Sequence, residues 1–286
     1  MRMDSKAYRR GVPVFLRDVL LLVLLVVAAR QVIAGEPKAA NAQIDGAEAI
    51  VQSHLTALKV SLADQKNDAP LQLAPQALLK YNDPARRYLA AGVWRIGKSG
   101  RPKGLVALEL CRNAADAGQG ELHHELSSFQ SDGLELTGAE GVAWRPRGSV
   151  LEFKPLDDAP APAPTAERRL LQMKQLARDF AVTESYQGDV STLRLLPRPI
   201  DRYEDRQGGI DDGAMFAFTY GTNPELVLLL ECQGKEWRFA LARLGGAELN
   251  VKRGNKTVKV FPELAASPPN DAYTAQTISV RLPPRP

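Results

Sequence analysis

Two stretches of the chain carry helical spacing, and many short runs carry strand alternation. Ile50, Leu55, Leu58 and Leu62 fall on one face of a helix written over residues 46–66. Thr165 opens a stronger pattern, with Glu167 in its first turn. Leu170, Leu171, Met173, Leu176, Ala177 and Phe180 then form a continuous apolar stripe, which marks a helix packed on a core. After the first helix, alternation predicts strands at 88–96, 104–111, 120–129, 133–137, 141–145 and 149–153. After the second it predicts strands at 191–196, 213–220, 225–232, 235–243, 247–252 and 256–261. Gly-Lys-Ser-Gly at 97–100 and Gly-Thr-Asn-Pro at 221–224 are tight turns between strands.

One spacing occurs twice. Leu71, Leu73, Pro75, Tyr81 and Asp83 recur as Leu193, Leu195, Pro197, Tyr203 and Asp205, 122 residues later. The same shift pairs Trp94 with Phe216, Ile96 with Phe218, Pro102 with Pro224, Leu108 with Leu230 and Glu109 with Glu231. Val142, Trp144 and Pro146 continue the match against Val258, Val260 and Pro262 at a shift of 116, a length change that loops between strands tolerate. A match of this length predicts a domain-sized internal repeat. The expected fold is α+β: two tandem copies of a helix followed by an antiparallel β-meander, a layout that permits packing about a pseudo-twofold axis. The first copy covers 46–155 and the second 165–266. Residues 156–164 form a stiff Pro/Ala linker between them. The Pro-rich tail, 267–286, has room for one more strand at 274–283.

The N-terminus predicts the compartment. Lys6, Arg9, Arg10 and Arg17 precede an apolar run from Val19 to Ala29, and Val32-Ile33-Ala34-Gly35 offers small residues for cleavage after Ala34. Residues 1–34 are therefore a signal peptide, with an uncleaved anchor over 12–34 as the rival. Residues 35–45 are a spacer. The body is exported (periplasmic or secreted), or tethered to the cytoplasmic membrane. The chain has 37 Lys/Arg and 33 Asp/Glu, and the leader holds six and two of these, which leaves 31 of each. The pI near 9.0 thus belongs to the leader, and a neutral body argues against a nucleic-acid partner.

Few residues suggest chemistry. Glu109 and Glu231 sit at matched positions inside apolar strands, where an unpaired carboxylate is costly. Brought together they would form a catalytic pair of raised pKa; the competing reading is that each bonds an arginine such as Arg238 or Arg243. Tyr81/Asp83 and Tyr203/Asp205 are candidate binding residues, or aromatic plugs beside turn-forming aspartates. Asp211-Asp212-Gly213 is read as a turn before a strand. Cys111 and Cys232 fall on opposite strand faces in the repeat alignment, which favours two free buried thiols over a disulfide. His123, His124 and Glu125 alternate across a strand and do not converge, so no metal site and no cofactor are expected. No nucleophile elbow, P-loop, dinucleotide fingerprint or HExxH occurs.

The run Asp212-Gly-Ala-Met-Phe-Ala-Phe-Thr-Tyr-Gly-Thr-Asn-Pro-Glu225 resembles a group of uncharacterised exported bacterial proteins of planctomycete type. So do Tyr81-Asn-Asp-Pro84, Gly100-Arg-Pro102, Trp144-Arg-Pro146 and the helix from Arg169 to Phe180. The resemblance implies export and brings no activity, cofactor or site residues. The function expected is a non-catalytic binding or scaffold module at the envelope, meeting a protein or an apolar ligand. The alternatives are a secreted hydrolase using carboxylates between the copies and a periplasmic carrier of an apolar ligand.

Overall fold

Residues 104–111 and 223–232 are buried without a break. A strand with one wet face alternates, whereas a strand buried at every position must be covered on both sides. That requirement produces stacked sheets. The computed structural model describes residues 46–62, 71–83, 86–116, 118–131, 133–266 and 268–283. The leader and spacer, 1–45, lie outside the described residues.

The first half holds α1 (residues 46–57), β1 (Lys59–Leu62), β2 (Leu79–Asp83), β3 (Tyr88–Ile96), β4 (Gly104–Arg112), β5 (Gln119–Ser128), β6 (Leu134–Thr137) and β7 (Ala143–Trp144). Next come β8 (Lys154–Pro155) and α2 (Ala166–Arg178). The second half holds β9 (Phe180–Tyr186), β10 (Asp189–Thr192), β11 (Arg194–Leu195), β12 (Asp201–Asp205), β13 (Ile210–Tyr220) and β14 (Asn223–Gln233). It continues through β15 (Glu236–Arg243), β16 (Glu248–Arg253) and β17 (Lys256–Phe261), and β18 (Tyr273–Arg281) closes the chain.

These strands form four antiparallel sheets. Sheet I is β1-β6-β7, sheet II is β18-β5-β4-β3-β2, sheet III is β11-β13-β14-β15-β8 with β12 on β13, and sheet IV is β10-β9-β16-β17. Sheet II turns Trp94, Val106, Leu108 and Leu122 toward α1 and sheet I. Its other face presents Val93, Leu105 and Ala107 to Met215, Val227, Leu229 and Ala240 of sheet III. The far face of sheet III, with Phe216, Phe218 and Leu228, packs on Met173 and Leu176 of α2 and on Val182, Leu249 and Val251 of sheet IV.

The expected α+β fold of two helix-plus-meander copies is therefore wrong. Strand makes up 52% of the described structure against two helices, and four small antiparallel sheets lie in a propeller-like ring. The error has a physical cause. A meander hands each strand to the next, but β5 does not hand on to β6. β6 pairs instead with β1 and β7, and β18 fills the free edge of β5. The first helix also stops early, because Lys59–Leu62 is drawn into pairing with β6. Residues 149–153 are not a strand; the short β8 follows them and pairs with β15.

Two local expectations match the coordinates, the Thr165 cap and the free, buried cysteines. Thr165 caps α2, its Oγ1 accepting from Arg168 N at 3.4 Å. The Pro/Ala segment before it is fastened down: Ala163 N donates to Gln172 Oε1 at 2.7 Å, and Trp237 Nε1 donates to Pro160 O at 3.0 Å. Cys111 and Cys232 are buried and free. Among the described residues, no helix is long and apolar enough to cross a membrane.

Ladder positions 122 residues apart correspond. Tyr81 pairs with Ala91, and Ala91 with Glu109. Tyr203 pairs with Gly213, and Gly213 with Glu231. Each tyrosine is followed by a register shift, before Asp83 and before Asp205. At Gly213 a Cβ would lie 2.4 Å from the Tyr203 ring, so the ring needs glycine beneath it. Gly213→Ala should therefore push Tyr203 aside and cost about 1–3 kcal/mol. A urea titration checks this; an unchanged midpoint would contradict the close approach.

Candidate functional site

The inner faces of sheets II and III carry polar residues among apolar ones. Two Tyr–Glu pairs repeat the same geometry. Tyr81 Oη donates to Glu109 Oε1 at 2.6 Å, and Tyr203 Oη donates to Glu231 Oε1 at 2.9 Å. Burial raises both phenols well above the ordinary tyrosine range, so both are neutral donors. Both glutamates sit in strands and face inward because the register with Ala91 and Gly213 fixes their face.

Beyond the tyrosine, the two sites differ. Glu231 is fully buried and receives Arg101 Nε at 2.7 Å and Nη2 at 2.5 Å, a two-pronged bond. Gln233 Nε2 adds a bond at 3.0 Å. Arg101 comes from the β3–β4 turn and stacks on Phe153 at 4.5 Å. The arginine proposed for this role from sequence was Arg238 or Arg243, and it is neither. Glu109 has no guanidinium bonded to it among the described contacts, and burial raises its pKa against the pull of Tyr81 and Tyr88. No hydrogen bond joins Glu109 to Glu231. Each closes on its own partners.

What does converge is a second set of acids. Glu225 at the start of β14 and Glu184 in β9 meet at one arginine. Arg86, from the β2–β3 connection, bridges them: Nη1 is 2.6 Å from Glu225 Oε1 and Nη2 is 3.5 Å from Glu184 Oε2. Asn223 Nδ2 also donates to Glu225 Oε1 at 2.9 Å. Gly245 makes room for Glu225, since a Cβ there would lie 2.1 Å from Oε2. Arg86 itself stacks on Tyr220 at 4.5 Å. Glu125 is half-buried nearby with Oε2 unpaired, and the Tyr273 hydroxyl is unpaired as well. Arg243 points its donors at the backbone oxygens of Gly245, Ala247 and Pro262, not at a carboxylate.

Three buried glutamates (Glu109, Glu184 and Glu225) and the half-buried Glu125 thus share two nearby guanidiniums, and among the described residues only Arg86 bonds to any of them. Burial with too few counter-charges pushes these acids above the ordinary glutamate value. Glu225 is pushed up to about 8, first by burial and then by the charge of Glu184, against the pull of Arg86. Glu184 is raised by burial. Glu125 is raised well above its ordinary value by burial, then by Glu109 and Glu225. A carboxyl group whose pKa lies near neutrality, as that of Glu225 does, can give or take a proton.

The remaining sequence candidates have structural partners. Asp205 accepts from Gly208 N at 3.0 Å and Arg101 N at 3.4 Å, and these bonds hold its pKa low. Asp83 Oδ1 accepts from Arg86 N at 3.2 Å. Both act where a strand ends. Asp212 is not in a turn; it lies within β13 and anchors Arg169 of α2 at 3.0 Å and Arg202 of β12 at 2.8 Å. His124 turns away from His123 toward His54, and burial lowers its pKa to about 4, so it is neutral.

Sequence reading missed Arg86, Glu184 and Glu225. One signal was present: Glu225 stands directly before the unbroken apolar run 226–230, where a carboxylate is costly. Nothing in the sequence paired it with Glu184, which lies on another sheet.

Two predictions follow from this chemistry. A glutamate with a raised folded pKa binds its proton more tightly folded than unfolded, so stability falls as pH climbs from about 4.5 through about 8. Melting temperature should drop between pH 5.5 and 8.5, and Glu225→Gln should flatten that slope; a parallel slope in the variant would contradict the assignment. Arg101→Met should cost about 3–5 kcal/mol, because Glu231 would be left buried without its cation. Adding Glu231→Gln should recover part of that loss in a double-mutant cycle. Comparison with protein-family models, with curated proteins and with solved structures finds no match to this chain.

Proposed function

We propose that this chain is an exported, non-catalytic module of the cell envelope that binds an extended segment of a partner protein, and that it is built from an internal repeat. The matched ladder positions around Tyr81 and Tyr203 support the repeat. The observation that carries the binding reading is the outer edge of β17. Lys256–Phe261 pairs with β16 on one side and ends sheet IV on the other. Val260 is half-exposed there. An open groove of about 490 Å3 adjoins this edge, lined by Asp157, Asp158, Asp179, Arg253, Lys256 and Val258. A sheet edge supplies main-chain hydrogen bonds to an added strand, and charges of both signs beside it supply selectivity. The acids inside the fold support the non-catalytic half of this reading, since arginines and tyrosines already bond to Glu109, Glu184, Glu225 and Glu231.

A second reading, a hydrolase working through carboxylates, draws support from the Glu184–Glu225 pair and its partly exposed bridge, Arg86.

The test places a photo-crosslinking residue at Thr257 in the native cells. A defined protein adduct that Arg253→Glu/Lys256→Glu removes is the expected result. Adducts no different from those formed at Val190, on the opposite edge of sheet IV, would sink the binding reading. Loss of an envelope-polymer hydrolysis in folded Glu225→Gln protein would establish the second reading instead.

A further inference from the structure

Cys111, Glu121 and His123 meet on one face of sheet II, with His123 directly opposite Glu109 in the β4–β5 ladder, and far in sequence from β17. The ladder sets this up. Cys111 pairs with Glu121 across β4 and β5, and His123 lies two residues further along β5 on the same face. Cys111 Sγ is 3.3 Å from His123 Nε2. One donor atom from each of the three residues lies within 4.8 Å of the others. A tetrahedral zinc, with metal–sulfur near 2.3 Å and metal–nitrogen near 2.0–2.1 Å, spaces those two ligands by about 3.5 Å.

The surroundings prepare two of the three ligands. His123 Nδ1 is 2.7 Å from Thr277 Oγ1 on β18. An Nδ1–H donated to that hydroxyl leaves the Nε2 lone pair aimed at the cysteine. Asn113 Nδ2 donates to Glu121 Oε1 at 2.8 Å and orients its carboxylate. Outer hydrogen bonds of this kind hold metal ligands in place. Cys111 is buried, while Glu121 and His123 are half-exposed, so one side of the cluster opens to solvent. Cys232 has none of this: its sulfur faces only Gly234 O, at 3.7 Å.

We propose that Cys111, His123 and Glu121 bind one borderline divalent ion of the zinc class through sulfur, nitrogen and oxygen, with solvent completing the fourth position. Binding converts the Cys111 thiol to a thiolate, and its proton leaves to solvent. The site is independent of the partner-binding reading and survives its failure.

The probe is Co2+, titrated into chelator-treated full chain under reducing, oxygen-free conditions. The expected result is a thiolate-to-cobalt charge-transfer band that saturates at one ion per chain and is bleached by Zn2+. Cys232→Ser should keep the band and Cys111→Ser should lose it. Thr277→Val should weaken binding about 10–100-fold by releasing the imidazole. His123→Gln alters a half-exposed side chain, so it decides the matter if Cys111→Ser fails to fold. Absence of the band in folded wild-type protein overturns the proposal. So does a band that follows Cys232, or an affinity that His123→Gln leaves unchanged.

Discussion

Most of the space between sheets II and III is closed to water, and most of the internal chemistry answers to that exclusion. Both sheets are apolar on both faces, so neither can leave a face wet. Any charge placed between them must find its counter-charge or a proton there. Arg101 reaches Glu231 across 130 residues of sequence, and Arg86 reaches Glu225 across 139. Arg95 meets Asp201 at 2.6 Å and also donates to Gly97 O and Gly100 O. These contacts bind the halves to each other more specifically than the surrounding aliphatic packing, because a guanidinium fixes both distance and direction.

Matched positions do not carry matched chemistry. The position 122 residues after Arg101 is Asn223, which bonds Glu225 instead of reaching for Glu109. One tyrosine-bonded glutamate therefore has a cation and the other lies in a field of acids. The ladder is shared, and the electrostatics have diverged on top of it.

Much of the local structure was legible in the sequence. Strand limits at 104–111, 225–232 and 256–261 fall within two residues of those observed, since alternation and turn residues are local signals. The Thr165 cap was legible for the same reason, and the free cysteines from their opposite strand faces in the 122-residue alignment. Sheet membership was not. That β1 pairs with β6, and β18 with β5, depends on contacts far apart in the chain, and continuous apolar runs such as 226–230 do not say which sheet covers them. The candidate site failed along the same line. Glu109 and Glu231 were visible as carboxylates in apolar strands, but Arg86, Arg101 and Glu184 reach their partners through tertiary packing alone. The Cys111–His123 approach likewise needs the β4–β5 register, which sequence spacing does not supply.

The return of β18 bears on how the protein is made. Its pairing with β5 brings Thr277 to His123 across 154 residues, and it supplies one edge of a sheet whose other strands lie in the first half. Sheet II cannot close on a nascent chain until residues 273–281 have been synthesised. A ribosome-bound chain that lacks these residues would hold β5 as an open edge, next to apolar strands already able to collapse. Folding dominated by such distant pairings is slow and exposes sticky intermediates. The edge of β5 is thus finished only after residues 273–281 have been made.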